Sequence, residues 1–195
     1  VVLDATQPFS NGHCLPRGLL RESPRALARA DLVLLSRTDQ VAPEALEELR
    51  RRVGPAVEMV HRPVHLRQLG SRNRLELDWL RARPVVAFCG LGNPEAFRKT
   101  LESLGARIVQ FRVFDDHHAY TERDLRSIAA GAEEFMAQAV VTTEKDATKL
   151  AADRFELPLV SLRVEIEITR NEELLEERLQ GVVRDPPRAA APLGR

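Results

Sequence analysis

From Pro84 onward the chain alternates short apolar runs with capped helical stretches, and this alternation constrains the fold more than any other feature. Val85–Cys89 reads as a buried strand, and Gly90-Leu91-Gly92-Asn93-Pro94 then opens a helix to Leu104 that Gly105 closes. Asn93 suits the N-cap of that helix and Pro94 its first turn. Ile108–Val113 is the next strand; Thr121 caps a helix through about Ala130, with Asp124 at its third position. Ala139–Thr142 is a further strand, and Thr143 with Asp146 three residues on caps the helix that follows. Strands and helices alternating at this spacing predict a mostly parallel, three-layer α/β sheet.

The flanking segments are less regular. Val1–Leu3 reads as a strand, followed by a loop with Pro8, Asn11, Gly12, Pro16 and Gly18. Ser23-Pro24 starts a short helix to about Ala30, Leu32–Leu35 is a strand, and Pro43 starts a helix stopped by Gly54-Pro55. Residues 56–68 alternate in polarity with Pro63 among them, which predicts an edge strand or an exposed ribbon. Leu159–Ile168 is extended, Glu172–Leu179 is a closing helix, and Arg184–Arg195 reads as a disordered low-complexity tail.

Composition narrows the function. The 195 residues are 44% apolar and 30% charged, an ordinary globular balance. Twenty-nine basic residues match 29 acidic ones, so no global positive field recruits nucleic acid. No apolar run approaches the roughly 20 residues of a membrane span. Cys14 and Cys89 make no disulfide framework, which predicts a soluble protein of a reducing compartment. The opening Val1-Val2-Leu3-Asp4 resembles the middle of a chain, so the sequence is expected to be the C-terminal part of a longer protein. Lysine occurs only at 99, 145 and 149 among the 29 basic residues, so the pair at 145 and 149 hints that a compact ammonium is wanted there.

Four segments could carry chemistry. Asp115-Asp116-His117-His118 follows the Ile108–Val113 strand, at the carboxyl end where parallel sheets place ligands. A histidine beside carboxylates suits a general base for a hydroxyl. On an extended backbone Asp116 and His118 would face one way and Asp115 and His117 the other, so the four cannot share one ion. No second ligand set completes a metal shell, and no metal ligand is assigned. Gly90, Gly92 and Asn93 form a strand-to-helix turn that could present N–H groups to phosphate, or simply make a tight capped turn. Lys145, in the first turn after Thr143, opposes the helix dipole and implies an anion or carboxylate partner. The early loop could meet a ligand through Asn11 or Arg21 or merely cross the surface.

Taken together, these segments resemble the tetraacyldisaccharide 4'-kinase family, P-loop-type lipid kinases of lipid A biosynthesis. The resemblance rests on Asp4-Ala5-Thr6 through Leu15-Pro16-x-Gly18-x-Leu20-Arg21-Glu22, Ala87–Phe97, Phe114-x-Asp116-His117-His118-x-Tyr120, and Thr143–Leu150. These stretches occur in the family's order and cover most of residues 1–170. Arg17 stands where the family usually has Ala, and Leu19 where it usually has Pro.

The resemblance implies phosphorylation, with ATP and Mg, of the 4'-hydroxyl of a lipid disaccharide 1-phosphate at the inner face of the bacterial inner membrane. It implies that the P-loop, the membrane-contacting N-terminal helix and a partner aspartate lie upstream, so that this fragment alone is inactive. It makes His117 the catalytic base or its partner, with Asp116 orienting it, and leaves Asn11, Arg21, Gly90, Gly92, Asn93 and Lys145 as substrate or phosphate contacts. The implied fold is two α/β lobes joined by a two-stranded ribbon. Residues 1–55 would finish the nucleotide lobe, 56–83 form ribbon and linker, 84–157 the smaller lobe, and 158–183 the return strand and closing helix, with 184–195 as tail. Two other readings stay open: a metal-dependent phosphoesterase using the Asp-His-His segment, and a non-catalytic anion-binding α/β module.

Overall fold

The computed structural model describes residues 1–71 and 73–184. The chain divides into two units, Arg62–Glu165 and a second made of Val1–His61 with the chain from Ile166 onward.

The 62–165 unit is built around β5 (Pro84–Cys89), whose last five residues have no exposed surface. An apolar run buried on both faces is what a central parallel strand requires. β5 pairs in parallel with β6 (Arg107–Val113) on one side and with β7 (Ala139–Thr143) on the other. β7 pairs in turn with the start of β8 (Leu159–Arg170), giving the order β8-β7-β5-β6. Alternate residues of β5 face different helices. Val85, Ala87 and Cys89 pack with Phe97 and Leu101 of α2 (Pro94–Ser103). Val86 and Phe88 pack with Leu125 and Ile128 of α3 (Glu122–Glu134). Helices on both faces of a mostly parallel sheet bear out the expected α/β class.

The caps read from sequence are in place. The Asn93 side chain accepts from the Ala96 N–H, and Thr121 with Asp124 forms a reciprocal capping box. The Thr143 hydroxyl accepts from the Asp146 N–H at the start of α4 (Glu144–Ala147). α3 runs past its expected end to Glu134.

The other unit carries β1 (Val2–Asp4), β2 (Leu34–Ser36) and the first part of β3 (Val57–Gln68), paired in parallel in that order. α1 (Pro43–Val53) covers them through Leu49, which packs with Ala5, Val33, Leu35 and Ala56. Its Arg50 makes two 2.7 Å bonds to Glu58, a β3 carboxylate that is 5% exposed. A buried carboxylate needs such a partner, and a forked guanidinium satisfies both oxygens at once.

Four expectations need correction. Residues 56–68 are not an edge strand, because β3 lies between β2 and β8 and is buried from Val57 to Val60. Pro63 falls in the later half, where burial alternates and a missing N–H is tolerated. That half pairs antiparallel with β4 (Arg74–Leu75), which no pattern announced. The segment after Ser23 is a 3-10 helix, Pro24–Arg29, with i to i+3 bonds such as Ala26 N–H to Ser23 O at 2.8 Å. The strand read at Leu32–Leu35 is shifted to Leu34–Ser36, in register with β1. The closing helix, α5, runs from Glu172 to Arg184 instead of stopping at Leu179; the tail expected beyond it lies outside the described residues.

Phe88 is fully buried and meets Phe114 and Tyr120 edge-to-face, so it anchors both α3 and the loop after β6. Phe88→Ala is expected to lower stability by about 3–5 kcal/mol in urea unfolding followed by circular dichroism.

Candidate active site

The Asp115–His118 segment is a turn. The His118 N–H donates to Asp115 O at 3.0 Å, and His117 takes a left-handed conformation with φ +63°. An extended backbone, on which the four side chains would alternate, is not formed. A left-handed non-glycine residue costs roughly 1–2 kcal/mol, so the surrounding contacts must hold it. The strand end supplies one, Phe114 N–H to Cys89 O at 2.9 Å.

The turn sends its two histidines into different surroundings. The His118 ring stacks on Phe114 at 4.9 Å, meets Tyr120 edge-on, and places Nε2 3.0 Å from Asp124 Oδ2. The same Asp124 oxygen accepts from the Thr121 N–H and hydroxyl. The bond to His118, and then those from Thr121, hold the Asp124 carboxyl down at about 2. His117 by contrast has a side chain 79% exposed, with Nε2 3.8 Å from Asp116 Oδ2. Its N–H donates to Asp116 Oδ1 at 3.0 Å.

Asp116 is reached from α4. Lys145 Nζ lies 2.5 Å from Asp116 Oδ1 and 3.4 Å from Gly90 O. The Lys145 ammonium draws the Asp116 carboxyl below the usual carboxylate range. Next to Lys145, Asp146 is fully buried. Its Oδ2 accepts from the Gly90 N–H at 3.0 Å and from the Thr143 hydroxyl at 2.8 Å, and Oδ1 accepts from Lys149 at 3.2 Å. Lys149 also donates to His118 O at 3.0 Å. The Gly90 N–H, expected to face a ligand, is thus held by the protein's own carboxylate. A Cβ on Gly90 would come within 2.9 Å of Asp115 O, so glycine is sterically required. At Gly92 a Cβ would meet only Asp116 Oδ2, at 4.0 Å.

Behind this cluster the Tyr120 hydroxyl is buried without a hydrogen bond of good geometry. Burial, and then the Asp146 charge, push its ionisation far up. Cys89 is likewise pushed up to about 12, first by burial and then by Asp146, which makes it inert.

Asp116, His117, Gly90, Gly92, Asn93 and Lys145 all fall in the 62–165 unit, at the carboxyl ends of β5, β6 and β7. Asn93 sits there as the cap of α2. Asn11 and Arg21 belong to the other unit. Asn11 closes its own loop, donating to Arg17 O at 3.4 Å and accepting from the His13 N–H at 3.2 Å. Arg21 lines a surface pocket of about 660 Å³ with Phe9, Leu20 and Leu27. Sequence reasoning missed Asp146 as the keystone and Asp124 as the partner of His118. Both were visible only as helix caps.

A family model described as tetraacyldisaccharide-1-P 4'-kinase, LpxK, matches residues 1–184. The chain belongs to the LpxK family. It is 44% identical to a tetraacyldisaccharide 4'-kinase of Anaeromyxobacter sp. (strain K), over 96% of this chain and 52% of that protein. With its counterpart in Syntrophus aciditrophicus (strain SB) it shares 41% identity, over 86% of this chain and 48% of that protein. A crystal structure of LpxK from Aquifex aeolicus in complex with ATP superposes with a TM-score of 0.56 at 25% identity, covering 92% of this chain and 50% of that one. The chain therefore spans about half the length of the LpxK relatives it matches. Among the described residues no helix is long and apolar enough to cross a membrane.

Asp124 has a pH consequence. Its carboxyl sits at about 2 in the fold against about 4 in an unfolded chain. The bond network therefore stabilises the fold fully above about pH 4 and fades as pH falls through about 2. Thermal unfolding between about pH 5 and pH 2 is expected to lose stability in that window, and Asp124→Asn to flatten this part of the profile.

Proposed function

We propose that this chain supplies part of the active site of a kinase that transfers the γ-phosphoryl group of ATP to the 4'-hydroxyl of tetraacyldisaccharide 1-phosphate. The observation that carries this reading is the exposed His117 ring beside Asp116, at the strand ends of a chain that belongs to the LpxK family. In this reading the His117 imidazole takes the proton of the sugar hydroxyl as its oxygen bonds the γ-phosphorus. The bond to the β-phosphate oxygen breaks, and ADP leaves with its electron pair. Asp116 orients the ring and balances the imidazolium that forms.

The partner aspartate and the phosphate loop belong, in this proposal, to the rest of the whole protein, as does contact with the inner face of the bacterial inner membrane. The 195-residue chain has no Gly-x-x-x-x-Gly-Lys-Ser/Thr segment and is expected to be inactive alone. Mg accompanies ATP in this chemistry. Among the described residues no group of three or more His, Cys, Asp or Glu side chains is placed to hold a metal, so Mg is assigned no ligand here. Gly92 and Asn93 in the 62–165 unit, and Asn11 and Arg21 in the other, are proposed as substrate or phosphate contacts. The phosphoesterase reading needs His118 as a ligand beside Asp116 and His117, but His118 is already bonded to Asp124 within the aromatic cluster.

The test uses a protein of the relatives' length that contains these residues, assayed for phosphate transfer from ATP to the disaccharide 1-phosphate. His117→Ala is expected to lower kcat by about 10²–10⁴-fold with ATP binding retained. Unchanged kcat would remove His117 from the chemistry, and the absence of any transfer by the parent would remove the kinase reading.

A further inference from the structure

We propose that Lys145 is a positioning residue for the Asp116–His117 pair, setting the charge and direction of the exposed imidazole, and is not itself a contact for a substrate phosphate. The proposal builds on the kinase reading, but its first test does not depend on catalysis.

The turn is pinned on either side of His117, whose ring stays exposed. Lys145 holds Asp116 at 2.5 Å and Lys149 holds His118 O at 3.0 Å. Both lysines come from the segment that the buried Asp146 fixes to Gly90 and Thr143. The middle residue projects, with a positive φ that free histidine disfavours. Lys145 makes its two bonds across 29 and 55 residues of sequence, so it joins the ends of β5 and β6 through one ammonium. Three donors on one small head can reach a carboxylate and a carbonyl together, whereas a planar guanidinium fixes their relative angle. That accounts for one of the three lysines in a chain with 26 arginines.

The electrostatic consequence is specific. Asp116 Oδ1 is shared between Lys145 and the His117 N–H, while Oδ2 faces His117 Nε2 at 3.8 Å. Lys145 partly neutralises the carboxylate that faces the ring. The other titratable groups bordering the turn are Asp115 and His118 in the loop, Asp146 and Lys149 from the α4 side, and Asp124 from α3 through His118.

The first test is an NMR titration of the His117 ring in the 195-residue chain, assigned by its loss in His117→Gln. Lys145→Met is expected to raise the His117 midpoint by about half a unit, because Asp116 is unmasked and a nearby positive charge is gone. Lys145→Arg is expected to recover part of that shift. The His118 resonance, which reports the aromatic cluster, should not move. Should Lys145→Met disturb His118 as well, Asp116→Asn makes the same cut from the other side and must lower the His117 midpoint.

The second test follows the pH dependence of kcat/KM in the protein of full relatives' length. Lys145→Met is expected to move the acidic limb upward by the same half unit and to lower kcat about tenfold, with KM for the disaccharide changed less than about threefold. A His117 midpoint unmoved in an intact fold overturns the proposal. So does a rise in KM with kcat and the limb unchanged, which would make Lys145 a substrate contact. If the parent transfers no phosphate, the kinase reading fails while the NMR titration still decides whether Lys145 governs the pair.

Discussion

The bond between the buried Asp146 carboxylate and the Gly90 N–H organises the 62–165 unit. A carboxylate without solvent contact must have donors on both oxygens or it costs several kcal/mol. Asp146 finds them on Gly90 at the end of β5, on Thr143 at the end of β7, and on Lys149 one turn later. Gly90 and Thr143 sit at strand ends, so satisfying one charge ties the ends of β5 and β7 together. The neighbouring lysines then reach across to the loop after β6. Four residues of helix thus locate three loops.

The loop after β6 uses that anchoring to separate two adjacent histidines. One is a structural ring, stacked on Phe114 and bonded to Asp124. The other is exposed, with Asp116 beside it. This division cannot be made by residue type, since both side chains are the same. It follows from the left-handed backbone at His117, which turns the first ring outward and the next inward. The bonds from Lys145 to Asp116 and from Lys149 to His118 O brace the turn on either side and leave the His117 ring exposed.

Much of the fold was legible because its signals are local. The apolar run at Val85–Cys89, the Asn93-Pro94 start and the Thr121 and Thr143 caps each need only a few neighbouring residues to be recognised. Registers and partners were less visible, because they depend on residues far apart. The two-residue β4 exists only because β3 offers it a ladder, and β3 is internal only because β8 returns beside it. The candidate site divided in the same way. Asp116, His117 and Lys145 stood out by composition and by their position at strand ends. That Asp146 would serve Gly90, 56 residues away, could not be seen, since its spacing to Thr143 already explained it as a cap. The positive φ at His117 has no such local signal, because no glycine announces it.

The chain leaves the first unit along β3 and comes back to it along β8, so the 62–165 unit is an insertion within the other. On a ribosome this orders events. The inserted unit is contiguous and can close its sheet as soon as β8 begins to emerge. The strands β1, β2 and early β3 must wait for Ile166–Arg170, which arrive roughly a hundred residues later, on the order of ten seconds at bacterial elongation rates. During that interval the incomplete sheet keeps an unpaired strand edge on β3.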